Sequence, residues 1–112
     1  MSSYPRYEVF KDSRNEYRFR LVAANYKTIL ASEGYTSKQN CYNGIESCQR
    51  NSPNDNRYQR LTSSNYKYYF NLLAENGHII GTSEMYESTT GRESGIDAVK
   101  RDGPTKTISD NS

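Results

Sequence analysis

Tyr17-Arg18-Phe19-Arg20-Leu21-Val22-Ala23-Ala24-Asn25 is answered fifty-one positions later by Tyr68-Tyr69-Phe70-Asn71-Leu72-Leu73-Ala74-Glu75-Asn76. The same offset matches Tyr7 with Tyr58, Ile29 with Ile80 and Ser32-Glu33 with Ser83-Glu84. It continues through Tyr35 and Tyr86, Ser37 and Ser88, Gly44-Ile45 and Gly95-Ile96, Arg50 and Arg101, and Pro53 and Pro104. A constant offset over that span marks an internal repeat, and the architecture must be read through it.

Within the repeated stretch the period is two. Tyr17, Phe19, Leu21 and Ala23 point one way and Arg18, Arg20 and Val22 the other, the pattern of an antiparallel strand with one face on a core. Residues 6–11 alternate in the same manner, and Asp12-Ser13-Arg14-Asn15 is a turn by composition. Asn76-Gly77 predicts a type I′ hairpin, and Tyr26 in the glycine position predicts a different turn for the first repeat. Residues 27–33 read as a third strand, with Ile29 and Leu30 on opposite faces. After Ser37, a candidate N-cap, the period becomes helical, with Cys41, Ile45 and Cys48 on one stripe. Gly44 weakens that helix, so its recurrence as Gly95 predicts close approach of the helix backbone to a neighbour. Arg50 suits the helix C-terminus and Pro53 stops it.

Asn54-Asp55-Asn56 is a short linker, and the second repeat follows with strands near 57–62, 67–74 and 78–84 and a helix near 88–101. Each repeat, about 6–53 and 57–104, is β-β-β-α. One copy buries too little alone. Two copies predict one α+β domain: an antiparallel sheet of about six strands, pseudo-twofold symmetric, with both helices packed on one face. The predicted core is Tyr17, Phe19, Leu21, Ile29, Ile45 and Cys48 with Tyr68, Phe70, Leu72, Ile80, Ile96 and Val99. Residues 105–112 form a tail; 105–108 read as a short edge strand and 109–112 as frayed.

The 112 residues suit one domain. A hydrophobic content of 33% is low, yet a patterned core, eleven tyrosines and a net charge of only +2 argue against disorder. Residues 1–53 hold 8 basic against 5 acidic side chains and residues 54–112 hold 7 against 8, with a pI near 8.5. That is no concentrated basic face. The start lacks a basic n-region and an apolar h-region, and no run of 18 apolar residues occurs, so the expected location is cytoplasmic. Cys41 and Cys48 lie about 10 Å apart along one helix face, too far to bridge, and read as small buried hydrophobes.

Few residues suggest chemistry. His78, the one histidine, sits beside a turn and reads as solvated. Glu33 and Glu84 recur, but as symmetry mates they read as helix caps or partners of Arg50 and Arg101. No phosphate loop, nucleophile elbow or metal-ligand spacing is present, so neither enzyme nor cofactor is expected. The outer sheet face is the better candidate, with Phe10, Arg18 and Arg20 from one repeat and Leu61, Tyr69 and Asn71 from the other. An apolar patch with arginine around it fits a protein partner or weak self-association. Aromatic and basic groups on an open sheet also fit weak binding of single-stranded nucleic acid, the alternative reading.

Read together, Glu16-Tyr17-Arg18-Phe19-Arg20-Leu21, Ser32-Glu33-Gly34-Tyr35-Thr36-Ser37-Lys38 and Asn43-Gly44-Ile45-Glu46-Ser47 are specific strings. So are Tyr68-Tyr69-Phe70-Asn71-Leu72 and Ile79-Ile80-Gly81-Thr82-Ser83-Glu84-Met85-Tyr86. With them the chain, from about Tyr7 to Pro104, resembles the YegP-like family of uncharacterised small bacterial proteins. The resemblance implies β3-α repeats in a single sheet, with terminal strands exchanged between halves. It supplies no catalytic residues. The expectation is a non-enzymatic interaction module, monomeric or weakly dimeric.

Overall fold

The computed structural model describes residues 3–112. Its elements, in chain order, are β1 (Arg6–Lys11), β2 (Tyr17–Val22), β3 (Thr28–Ala31), α1 (Lys38–Asn51), β4 (Tyr58–Thr62), β5 (Tyr68–Leu73), β6 (Ile79–Thr82), α2 (Thr89–Asp102) and β7 (Ile108–Asp110). They build one sheet in the order β4-β5-β6-β3-β2-β1-β7. The α+β class and the two β-β-β-α units stand. The sheet has seven strands rather than six, and it is mixed, because β7 lies parallel to β1.

The halves meet where β3 pairs antiparallel with β6, through Ala31 opposite Thr82. These two residues are repeat mates, so the pseudo-twofold axis passes between them. Local detail obeys it. The hydroxyl of Ser32 accepts from the Phe19 N–H and donates to the Glu33 carbonyl, and Ser83 does the same for Phe70 and Glu84. Each pair ties the end of a third strand back to the middle of the second, which accounts for the repeated serine. Tyr7 packs edge-on to Phe19 as Tyr58 does to Phe70, with centroids 5.7 and 5.6 Å apart.

The core lies between the helices and one sheet face. Phe19, Leu21, Ile45, Cys48, Phe70, Leu72, Ile96 and Val99 are buried there as expected. Tyr17 and Tyr68 are only half-buried, Tyr17 packing on the core margin, whereas Tyr7, Val9, Leu30, Cys41 and Tyr58 complete the core. Ile29 and Leu30 do not divide between faces: both join the core, because the β2–β3 register slips between Leu21 and Val22.

Ser37 and Ser88 cap the helices, accepting from the N–H groups of Asn40 and Gly91 at 3.1 and 3.0 Å. Glu33 and Glu84 therefore do not cap them. Gly44 and Gly95 are held small by a tyrosine ring: a Cβ at either would collide with the hydroxyl end of Tyr35 or Tyr86. The helix backbone thus approaches the segment after the third strand more closely than it approaches its twin.

All four hairpins share one turn. The closing pairs are Asp12/Glu16, Ala23/Lys27, Ser63/Lys67 and Ala74/His78, and the residue before each last one has positive φ. Those residues are Asn15 (62°), Tyr26 (68°), Tyr66 (63°) and Gly77 (85°). The loop is a three-residue turn ending in one left-handed residue, not the type I′ turn predicted from Asn76-Gly77. Tyr26 accepts the strain instead of changing the turn, a cost of about 1–2 kcal/mol relative to glycine.

The C-termini of α1 and α2 abut at the axis, where Ser52 and Gly103, also repeat mates, touch. The Tyr7 hydroxyl donates to the Gly103 carbonyl at 2.8 Å and the Tyr58 hydroxyl to the Ser52 carbonyl at 2.7 Å. Each helix end is capped by a tyrosine of the other repeat. The Ser52 hydroxyl itself finds no partner. A Cβ at residue 103 would strike the Ser52 side chain and lie 2.7 Å from the Val99 carbonyl. Gly103→Ala is therefore expected to cost about 1–3 kcal/mol or more. Ser52→Ala, which removes an unpaired buried hydroxyl, is expected to be neutral or stabilising. Urea denaturation checks both; equal losses in the two variants would contradict this packing.

Candidate interaction surface on the open sheet face

The face away from the helices follows from register. Because Tyr7 opposes Leu21 and Val9 opposes Phe19 on the core side, the pairs Glu8–Arg20 and Phe10–Arg18 face outward. In the second repeat the outward pairs are Gln59–Asn71 and Leu61–Tyr69. All six residues expected on this face are there. They do not form one patch of free groups.

In the first repeat the arginines are already engaged. Glu8, 7% exposed, accepts from Arg20 Nε at 2.8 Å on one carboxylate oxygen and from Arg6 Nε and Nη2 at 3.0 and 2.8 Å on the other. Arg20 also lies over the Phe10 ring, 4.9 Å from its centroid, so Phe10 is partly covered by a cation. Arg18 Nε donates to Asp12 at 2.6 Å. Burial opposes ionisation of Glu8, but the hydrogen bonds from Arg20 and Arg6 outweigh it and hold the carboxyl below its ordinary value. Sequence reading missed Glu8 and Asp12 as partners, although closing the hairpin at Asp12 and Glu16 sets Glu8 opposite Arg20.

In the second repeat the corresponding positions are neutral. Asn71 is not a free surface amide: it is buried, donates to the Gln59 side chain at 3.1 Å and accepts from the Thr82 hydroxyl at 2.8 Å. Leu61 and Tyr69, directly opposite one another, remain half-buried beside this ladder. Tyr66, at the turn joining their strands, is 83% exposed.

On the helix side, burial pushes the thiols of Cys41 and Cys48 up to about 11 and 12, although a hydrogen bond with Tyr7 pulls Cys48 the other way. Thiols so raised are poor nucleophiles at neutral pH. Arg92 of α2, the repeat mate of the buried Cys41, is housed by donating to the Leu61 carbonyl and lying over the Tyr68 ring. Arg101 pairs with Asp102 and not with Glu84, and Glu33 does not pair with Arg50. Among the described residues no cluster of His, Cys, Asp and Glu could hold a metal ion, and no helix is long and apolar enough to cross a membrane.

The tail is better ordered than its composition suggests. Ser109 and Asp110, expected to fray, belong to β7. Tyr7 N–H donates to the Thr107 carbonyl and Asn111 N–H to that of Val9. The Asp110 carboxylate accepts from the Tyr42 hydroxyl at 2.9 Å and lies 3.2 Å from Lys38 Nζ.

These features define a tandem β-β-β-α protein with one sheet face covered by helices and the other open. The family model of a domain of unknown function, DUF1508, matches residues 12–59 and again 63–110. The chain belongs to that family, the YegP-like or UPF0339 proteins. It is 50% identical over 105 residues to the UPF0339 protein YegP of Escherichia coli K12, covering 94% of this chain and 96% of that one. The solution structure of a UPF0339 protein from Shewanella oneidensis is similar at a TM-score of 0.88 and 50% identity, over 93% of this chain and 88% of the other. That of E. coli YegP, described as a protein of unknown function, gives 0.89 at 50% identity over 94% and 90%. None of these names denotes an enzyme. Both matched units run into the strand after their helix, and both strands cross over: β4 pairs with β5, and β7 returns to the side of β1 and β2.

Because the folded pKa of Glu8 is depressed, its contribution to stability is present above the unfolded value, about 4.3, and is lost as pH falls through the lower folded value. Glu8→Gln is expected to lose on the order of 1–2 kcal/mol at pH 7, with the gap to wild type closing below about pH 4. Denaturation at several pH values measures this. A gap independent of pH would mean that the Arg6–Glu8–Arg20 contact contributes no charge stabilisation.

Proposed function

We propose that this protein is a non-enzymatic interaction module that binds a protein partner through its open sheet face, centred on Leu61 and Tyr69. The observation that carries the reading is the internal neutralisation of the arginines. Arg6 and Arg20 share the Glu8 carboxylate and Arg18 holds Asp12. The paired carboxylates cancel much of the positive charge that would draw a phosphate backbone, and a nucleic acid's affinity rests largely on such contacts. A protein surface needs no such charge. It can cover the Leu61–Tyr69 pair, stack on Tyr66, and use the neutral Gln59–Asn71–Thr82 ladder as rim.

The test compares immobilised wild type with Tyr69→Asp, Leu61→Asp and the control Arg14→Ala in affinity capture from the native host. In parallel, fluorescence anisotropy follows labelled single-stranded oligonucleotides at low salt. A protein captured by wild type and the control, and lost with both aspartate variants while their fold persists, is the expected result. Salt-sensitive oligonucleotide binding that weakens in an Arg18→Ala, Arg20→Ala double variant would overturn it.

A further inference from the structure

Asn25-Tyr26-Lys27 and Asn65-Tyr66-Lys67 are the same tripeptide at two hairpin tips that are not repeat mates. Their mates read Asn76-Gly77-His78 and Arg14-Asn15-Glu16. The sheet brings the two tips to one end. β3 leaves the first turn and β5 the second, while β6, between β5 and β3 and antiparallel to both, runs toward that end and finishes there. Three strand spacings, about 14 Å, separate the tips. The chain beyond β6, with Met85, emerges between them.

That end is the apolar one. Among the described residues four large hydrophobic side chains are exposed, and three of them, Tyr26, Tyr66 and Met85, are here. The fourth, Ile79, begins β6 at the opposite end. The pseudo-twofold carries Tyr66, Tyr26 and Met85 onto Asn15, Gly77 and Gly34, so the opposite end shows small or polar residues at the same places. Folding does not account for the two tyrosines. Both have positive φ, and their mates are asparagine and glycine, the residue types that accept it. Tyr26 gains one edge-on contact, with the Tyr4 ring, and Tyr66 gains none among the described rings.

We infer that this end of the sheet rests on the surface of a lipid bilayer, with the rings of Tyr26 and Tyr66 and the Met85 side chain at the headgroup boundary. Shape supports this choice. The apolar groups stand on separate tips with polar residues between them, not in the contiguous centre that carries a protein interface. A soft surface admits separate insertions. Tyrosine has an apolar ring and a wet hydroxyl, and the lysine after each has a stem long enough to keep its ammonium among the headgroups. Charge around the tips nearly cancels. Lys67 pairs with Glu87 and Arg6 with Glu8, while Lys27 and Glu84, of opposite sign, have no ion pair among the described residues. Neither a polyanion nor an anionic lipid is therefore favoured over a zwitterionic one. A sheet standing end-on leaves Leu61 and Tyr69 clear for the protein contact proposed above.

The experiment measures co-sedimentation of the whole chain with phosphatidylcholine vesicles and with vesicles that also contain phosphatidylglycerol. Amide NMR in phosphatidylcholine bicelles with a spin label near the headgroup locates the contact. The variants are Tyr26→Gly and Tyr66→Asn, each taking the residue of its mate, and Leu61→Asp. Binding is expected at about millimolar lipid, similar for both vesicles, with broadening confined to residues 24–27, 64–67 and 84–86. Each tip variant should bind at least about threefold more weakly and the double variant about tenfold, with Tyr66→Asn as resistant to urea as wild type or more so. Leu61→Asp should bind lipid as wild type does, which separates this inference from the protein contact. No binding at millimolar lipid would overturn the inference. So would binding to phosphatidylglycerol vesicles alone, broadening spread over a sheet face, undiminished binding of the double variant, or a clear loss of stability in Tyr66→Asn.

Discussion

The hydroxyls of Tyr7 and Tyr58 reach across the pseudo-twofold axis to the last carbonyls of the opposite helices, and the rest of the architecture depends on that exchange. A helix C-terminus leaves carbonyls without partners, and burying one unpaired costs about 1–3 kcal/mol. Here two such ends are pressed together at Ser52 and Gly103, so water is excluded and side chains must satisfy them. Burial pushes both phenols up from their ordinary values, which keeps them protonated as donors at any physiological pH. Because each tyrosine stands in one repeat and serves the other, neither repeat is complete alone.

The same exchange explains the order of the outer strands. β4 and β7 both follow a helix and both cross to the far half. The place beside β2 is taken by β1, whose Tyr7 caps α2 and whose Val9 enters the core. The repeat mate of Tyr58 in the tail is Ser109, which offers no phenol. β7 therefore settles outside β1, parallel to it, secured by the Asp110 carboxylate against Tyr42 and Lys38.

Much of this was legible. The period of two in Tyr17–Ala23 assigned the strand faces, and the fifty-one-residue offset assigned the halves. What escaped depends on pairing rather than pattern. A three-residue parallel strand carries no period of its own. The shared turn lies in spacing, since each hairpin closes four positions apart, and not in the Asn-Gly dipeptide. The arginines of the outer face looked free because a linear reading shows neighbours in sequence, whereas Glu8 meets Arg20 only across the sheet. The six residues named for the outer face do lie on it, but the pairing of its arginines with Glu8 and Asp12 was not legible. Duplicated positions such as Arg20 against Asn71 and Gly34 against Met85 mark where the two halves have diverged.

If reciprocal capping joins the repeats, the protein opens as one unit, and damage to one cap is felt in both halves. Native-state hydrogen exchange on Tyr7→Phe measures this directly. Tyr7 belongs to the first repeat and caps the helix of the second, so the account predicts an equal fall in protection for the core amides of α1 and α2. Loss of protection in α2 alone, with α1 unchanged, would contradict it.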